Sequence, residues 1–130
     1  MFSFNKNKNK NINMFHNGNK HGLWRTWYGE NKKVVESEGY YVDGKLNGKW
    51  TFWHNNSQHT VESEGEFIND KREGLWKFLH SDNPYKLSSE GCYVNGKQHG
   101  LWKMYHNDNQ HTLYLEANFV DGKQVNLQTY

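Results

Sequence analysis

The sequence predicts an all-β fold: a single-layer antiparallel meander of about four β-hairpin repeats of 26 residues, with a half-hairpin cap at each end. Three observations predict it. Gly22-Leu23-Trp24 returns as Gly48-Lys49-Trp50, Gly74-Leu75-Trp76 and Gly100-Leu101-Trp102, each 26 residues after the last, and a strict internal period marks a repeat architecture. Asn17-Gly18, Asp43-Gly44, Asn95-Gly96 and Asp121-Gly122 keep the same beat. Both central residues of a type I′ hairpin turn need positive φ, which Asn-Gly and Asp-Gly adopt readily. Finally, the segments between these turns are aromatic-rich or alternate polar with apolar, and none has a helical period.

Residues 1–12 form an Asn/Lys tail of low complexity, read either as a solvated segment or as a basic arm toward an anionic partner. The repeat domain covers residues 13–130. Phe15 stands 26 residues before Tyr41, so residues 9–16 are expected to be a degenerate second strand. Repeats then run over about 18–43, 44–69, 70–95 and 96–121, followed by a cap over 122–130. In the second repeat, residues 48–54 read as a strand, 55–59 as a polar loop and 61–68 as the return strand. The third joint, Asn69-Asp70, lacks the glycine, and a longer or different turn is expected there. Pro84 falls in the loop of the third repeat, where it removes no ladder hydrogen bond. In the cap, Leu127 keeps the beat of Leu101 while Gln128 stands for the tryptophan and Asn126 for the glycine. Polar replacement in a terminal unit is what a cap requires.

A two-residue turn at Asp43-Gly44 sets the register and hence the faces. It places Val42 opposite Lys45, Tyr41 opposite Leu46, Gly39 opposite Gly48, Ser37 opposite Trp50 and Val35 opposite Phe52. One face then collects Val35, Tyr41, Trp50 and Phe52, with Gly65 beside Trp50 and Ser63 beside Phe52. The other collects Glu36, Glu38, Lys49, Thr51, Trp53 and Val42. On that second face Glu62 is expected opposite Lys77, with Glu64 diagonal to it. A bulge at any joint would exchange the faces.

Composition bounds the function. Aromatics make up 16% of the chain and all hydrophobic residues only 34%, so the apolar area is concentrated in a few large rings. A net charge of +2 supplies no global field toward nucleic acid, and none is expected as a partner. The single cysteine, Cys92, precludes an internal disulfide, in keeping with a reducing compartment. No apolar run is long enough to span a bilayer, and the N-terminus has no apolar leader. A cytoplasmic protein is the expectation.

The segments Tyr41-Val42-Asp43-Gly44-Lys45-Leu46-Asn47-Gly48-Lys49-Trp50, Tyr93-Val94-Asn95-Gly96-Lys97-Gln98-His99-Gly100-Leu101-Trp102 and His21-Gly22-Leu23-Trp24 resemble the MORN repeat family. The resemblance spans roughly residues 13–128. It departs from the commonest pattern, in which a second glycine follows the His-Gly step. The longer unit and its Gly-x-Trp are more similar to the variant of bacterial antitoxin components and of expanded sets in large DNA viruses. The resemblance implies a curved, elongated sheet of hairpins and no catalytic residue. The functions it implies are protein scaffolding, contact with phosphoinositides or membranes, or an antitoxin-like role toward a toxin partner.

The residues themselves point to no catalytic set, cofactor or metal. His54, His80 and His106 recur at one position, with Tyr28 in the first unit. Equivalent strands lie two spacings, about 10 Å, apart, too far for one ion held by bonds of about 2 Å. A ladder at the strand ends is expected instead. Glu38, Glu64, Glu90 and Glu116 are separated in the same way, with Lys77 and Lys103 as expected neighbours. An enzymatic reading rests on Cys92 and the histidines alone, and no motif pairs a nucleophile with a base. The candidate interaction surface is aromatic: Trp24, Trp50, Trp76 and Trp102, read either as core or as contact surface, and Trp27, Trp53, Leu79 and Tyr105 on the other face. Lys45, Lys71, Arg72, Lys97 and Lys123 form a candidate phosphate-contacting edge for anionic lipid, diluted by Asp43, Asp70, Glu73 and Asp121. The expected partner is a protein not identified by the sequence, and the terminal half-hairpins either seal the sheet or pair with a second copy.

Overall fold

A computed structural model describes residues 11–83 and 85–130. Its elements are strands: β1 Phe15–His16, β2 Asn19–Lys20, β3 Gly22–Tyr28, β4 Val34–Val42, β5 Lys45–Trp53, β6 Val61–Ile68, β7 Lys71–Leu79, β8 Leu87–Val94, β9 Lys97–Tyr105, β10 Leu113–Val120 and β11 Lys123–Thr129. Strands β3 to β11 follow one another in chain order across one nine-stranded antiparallel sheet, and β1 and β2 make a small sheet of their own. The expected meander is thus present, with β11 as the C-terminal half-hairpin. Of the expected N-terminal half-hairpin, residues 9–10 lie outside the described residues, as does the Asn/Lys tail up to residue 10.

The joints are two-residue turns, the third included. Asn69 and Asp70 have φ of 48° and 71°, like Asp43 at 49° and Gly44 at 83°, and Ile68 faces Lys71 directly. The longer turn expected at Asn69-Asp70 is therefore corrected. Asp70 occupies the glycine place because its surroundings hold it there. Its N–H donates to Leu46 O at 3.0 Å, and its Oδ1 accepts the Leu46 N–H at 2.8 Å. Asp tolerates the left-handed region when local hydrogen bonds support it. The other turns stack in the same way, with Gly44 N on Lys20 O, Gly96 N on Arg72 O and Gly122 N on Gln98 O, at 2.8–2.9 Å.

Past the turn, the register slips by two residues. Tyr41 faces Leu46, but Gly39 faces Trp50 and Ser37 faces Phe52. The expected pairs Gly39–Gly48, Ser37–Trp50 and Val35–Phe52 are overturned by this bulge. Gly48 sits in it at φ 84°, a conformation that favours glycine. A slip of two keeps the faces, so Trp50 stays on the side of Tyr41 and now lies between Gly39 and Gly65. The same slip puts Glu64, not Glu62, opposite Lys77.

A second, one-residue bulge recurs at the far end of each hairpin and does exchange sides. Val35, Val61, Leu87 and Leu113 face Trp27, Trp53, Leu79 and Tyr105. Val35 therefore leaves the Trp50 face on which it was expected. In the cap the turn-proximal slip is one residue rather than two, which sets Leu127 opposite Ala117 and Gln128 opposite Glu116. Asn126, standing where the glycine would be, binds Asn118 N and Nδ2 through its Oδ1. The expected cap register, with Gln128 in the tryptophan place, is corrected accordingly.

The core lies on one face of the sheet. Trp50, Phe67 and Trp76 are buried, with Trp24, Tyr41, Leu46, Phe52, Phe78 and Tyr93 packed against them. Each indole lies flat on the backbone of the preceding strand: a Cβ added to Gly39, Gly65 or Gly91 would fall inside the ring of Trp50, Trp76 or Trp102. The indole N–H groups donate to Tyr40 O, Glu66 O and Cys92 O at 3.0–3.1 Å. Between the indoles stand edge-on rings, as in Phe67–Trp76 (5.1 Å, 84°) and Tyr93–Trp102 (5.1 Å, 86°), a favoured aromatic geometry. Cations close the row from above. Lys20 Nζ lies 4.7 Å from the Trp24 ring and the Arg72 guanidinium 4.9 Å from that of Trp76.

The outer side of β3 is occupied by Asn13. Its side-chain amide accepts the Arg25 N–H at 2.7 Å and donates to Arg25 O at 3.0 Å, reproducing the two bonds of a ladder rung. Unpaired edge groups invite association with another strand, and here a side chain takes two of them.

Candidate interaction surface

The face opposite the aromatic core carries the candidate site. Alternation along the strands turns Leu23, Arg25 and Trp27 of β3 to this side, and the pairing register lines up their equivalents across the sheet. Through its middle runs one line of mostly charged residues, broken by Thr51 and ended by Gln128: Arg25, Glu38, Thr51, Glu64, Lys77, Glu90, Lys103, Glu116 and Gln128, each directly opposite the next. Arg25 is buried and its Nε donates to Glu38 Oε2 at 2.6 Å. At the other end, phenols reach in: Tyr105 donates to Glu90 Oε1 at 3.0 Å and Tyr130 to Glu116 Oε1 at 2.7 Å. Burial, then the hydrogen bond to Glu90 and its charge, push the Tyr105 phenol up to about 12.

On the far side of this line lie Trp27, Trp53, Leu79 and Tyr105. The structure brings them into one row, but they are largely covered: Trp53 and Tyr105 are 5% and 9% exposed, and Trp27 and Leu79 are half-buried. Their aliphatic partners across the bulge, Val35 to Leu113, make this row a second strip of packing. Trp50, Trp76 and Trp102 are buried and Trp24 half-buried, so that row is core.

On the near side, toward the turns, lie the apolar residues that sequence reasoning passed over. Tyr40, Leu75 and Leu101, then Val42, Ile68, Val94 and Val120, are 41–52% exposed. The signal was available: these positions alternate with the buried ones, and none falls on the tryptophan face. Lys45, Lys71, Lys97 and Lys123 stand directly opposite Val42, Ile68, Val94 and Val120, and directly opposed residues share a side. The four lysines thus form one edge of this face. Arg72 does not join them. It faces Phe67 and lies over Trp76 and Tyr93 on the core side.

At the strand ends the histidine row is bonded in part: His54 and Tyr28 reach a neighbouring hairpin, whereas, among the described residues, His80 Nε2 is buried without a hydrogen-bond partner. His54 Nε2 is 3.2 Å from Leu79 O in the next hairpin, and Tyr28 OH donates to Trp53 O at 2.7 Å from the equivalent place. Cys92 is exposed between Leu75 and His99. Among the described residues, no group of three or more His, Cys, Asp or Glu is placed to hold a metal ion, and no helix is long and apolar enough to cross a membrane.

No family model and no curated protein matches the chain. Among solved structures, it is similar to a point mutant of S. aureus TarM in complex with fondaparinux, alpha-GlcNAc-glycerol and UDP, with a TM-score of 0.48 and 14% identity. The likeness covers 79% of this chain and 19% of that one, so the chain spans about a fifth of the protein it matches.

Proposed function

We propose that this chain is a non-catalytic repeat protein of the MORN type that serves as an interaction scaffold, docking a protein partner on the face that bears the charged line. One observation carries the reading. The aromatic row is used up as core, whereas the opposite face leaves Tyr40, Leu75, Leu101 and the Val42 row about half exposed in adjoining rows. Extended apolar surface rimmed by charge is the usual form of a protein-binding site, and repeat sheets present such surfaces over a long span.

A photo-crosslinking residue at Leu75, in a lysate of the source cells, tests it. The expected result is a protein adduct that disappears on Leu101→Glu and persists on Glu30→Gln in a distant loop. The lysine edge favours a second reading, contact with an anionic lipid surface through Lys45, Lys71, Lys97 and Lys123 with the aliphatic row beside them. Salt-sensitive sedimentation with phosphatidylserine vesicles, lost on Lys71→Glu/Lys97→Glu, would replace the scaffold by this reading.

A further inference from the structure

The two-residue turns are not held alike. Asp43 N and Gly44 N donate to His21 Nδ1 at 3.4 Å and Lys20 O at 2.9 Å. Asn69 N and Asp70 N donate to Asn47 Oδ1 at 3.2 Å and Leu46 O at 3.0 Å. Asn95 N and Gly96 N donate to Glu73 Oε2 and Arg72 O, both at 2.9 Å. Each of these turns is thus pinned by the hairpin before it. The first turn, Asn17-Gly18, has the same backbone: φ of 52° and 80°, against 52° and 81° at Asn95 and Gly96. Yet among the described residues nothing takes the Gly18 N–H or the Asn17 carboxamide.

The hairpin that carries this turn is also the shortest. β1 and β2 have two residues each, paired as Phe15–Lys20 and His16–Asn19, whereas Asn95-Gly96 joins strands of eight and nine residues. Asn17 and Gly18 are exposed. A Cβ on Gly18 would meet nothing within 4 Å, where one on Gly96 would meet Lys71. Few contacts and exposed backbone bonds lower the free energy of local opening. Asn-Gly occurs a third time at Asn47-Gly48. That pair lies inside β5, and both polar atoms of the Asn47 carboxamide are engaged with Asn69.

An Asn-Gly pair that can open has a chemistry of its own, because glycine has no side chain to shield its nitrogen. The Gly18 backbone nitrogen, giving its proton to base, attacks Asn17 Cγ. The new N–Cγ bond closes a succinimide, and the Cγ–Nδ2 bond breaks to release ammonia. Water then opens the ring. Addition at Cγ breaks the new bond and leaves aspartate at position 17. Addition at the backbone carbonyl breaks the original peptide bond and leaves the chain running through Cγ, as isoaspartate. We infer that Asn17 is a site of this spontaneous deamidation and that Asn47 and Asn95 are protected from it. The aspartate product leaves the fold unchanged, since Asp43-Gly44 and Asp121-Gly122 make the same turn. The isoaspartate product does not, since its extra backbone atom breaks a two-residue type I′ turn. Losing that turn withdraws Asn13 from the Arg25 N–H and C=O, bonded at 2.7 and 3.0 Å, and Met14 O from the Trp24 indole N–H. The edge of β3 then opens for pairing. The inference does not rest on the scaffold reading.

The test is ageing of the full chain in mildly alkaline buffer, followed by peptide mapping by mass spectrometry and an isoaspartate methyltransferase assay. Conversion at Asn17 is expected to be about tenfold or more faster than at Asn95, the scale of the two backbone bonds that Asn95-Gly96 must first release. In Glu73→Ala, which frees the Asn95 N–H, conversion at Asn95 should rise about fivefold while that at Asn17 stays as it was. The aged fraction carrying isoaspartate, separated by chromatography, should lose hydrogen-exchange protection at the Arg25 amide. Asn17→Asp should keep that protection, which distinguishes the altered backbone from the added charge. No conversion at Asn17, or conversion at Asn47 or Asn95 as fast as at Asn17, would overturn the inference. An Arg25 amide protected equally in the isoaspartate fraction and in Asn17→Asp would overturn its consequence for the β3 edge.

Discussion

Trp76 lies on Gly65 as a ring on bare backbone: a Cβ at Gly65 would fall inside the indole, whose Nε1 donates to Glu66 O at 3.1 Å. The glycine, the ring and the hydrogen bond form one unit that lets a single sheet bury a tryptophan completely. Gly65→Ala should therefore destabilise far beyond a strand glycine replacement, by about 1–3 kcal/mol or more, because an overpacked site must shift backbone. Gly91→Ala should match it beneath Trp102. Ala117→Gly, where Leu127 rather than an indole follows on the next strand, should cost only about 0.5–1 kcal/mol, the entropy of an added glycine. Urea unfolding of the three variants checks the contrast.

At the third turn, Asp70 makes two exchanges with Leu46, one through its backbone and one through its carboxylate. Asp70→Gly loses the carboxylate bond but gains a residue at ease at φ 71°, so a change within about 0.5 kcal/mol is expected. Asp70→Ala loses the bond and keeps the unfavourable φ, and should cost about 1–2 kcal/mol. If the two variants unfold alike, the side-chain bond is not what holds this turn.

Much of this architecture is legible in the residues. The Gly-x-Trp beat and the Asn-Gly and Asp-Gly pairs locate the strands and turns, because each turn type demands particular residues. The bulge at Gly48 is not legible from alternation, since a slip of two leaves every face unchanged while moving each pairing. Its trace is the glycine itself, which alternation has no use for. The one-residue bulge beside Val35 is silent for the opposite reason: a valine suits either side. The candidate site was half legible. Trp27, Trp53, Leu79 and Tyr105 were placed on the correct face, but their covering aliphatic row arrives only through that bulge. Arg72 was misplaced by its neighbour Lys71, although alternation from Phe67 puts it on the core side.

Arg72 and Lys71 give a direct test of that separation. The Arg72 guanidinium lies over both Trp76 and Tyr93, so Arg72→Ala should lose packing as well as charge, about 1–2 kcal/mol. Lys71→Ala, on the exposed edge, should stay within about 0.5 kcal/mol. Thermal unfolding of the pair, with Lys20→Ala as a third member over Trp24 and Tyr41, separates core cations from edge cations.

Tyr105 ties the second packing strip to the charged line, through its bond to Glu90. Its phenol is raised from 10.0 to about 12, first by burial and then by Glu90. A group whose folded value is raised binds its proton more tightly when folded, so its contribution is complete below pH 10 and is lost as pH rises toward 12. Tyr105→Phe removes the donor and leaves Glu90 one hydrogen bond short, which should cost about 1.5–3 kcal/mol at neutral pH, the scale for a bond to a charged group. Burial also raises Tyr28 and Tyr41, so both chains lose stability in alkali, and the informative quantity is the difference between them. Denaturant unfolding of parent and Tyr105→Phe should show a constant gap up to pH 10 that narrows over the next two units. The absence of any gap at neutral pH would mean that Tyr105 contributes ring packing alone, and that the charged line ends without it.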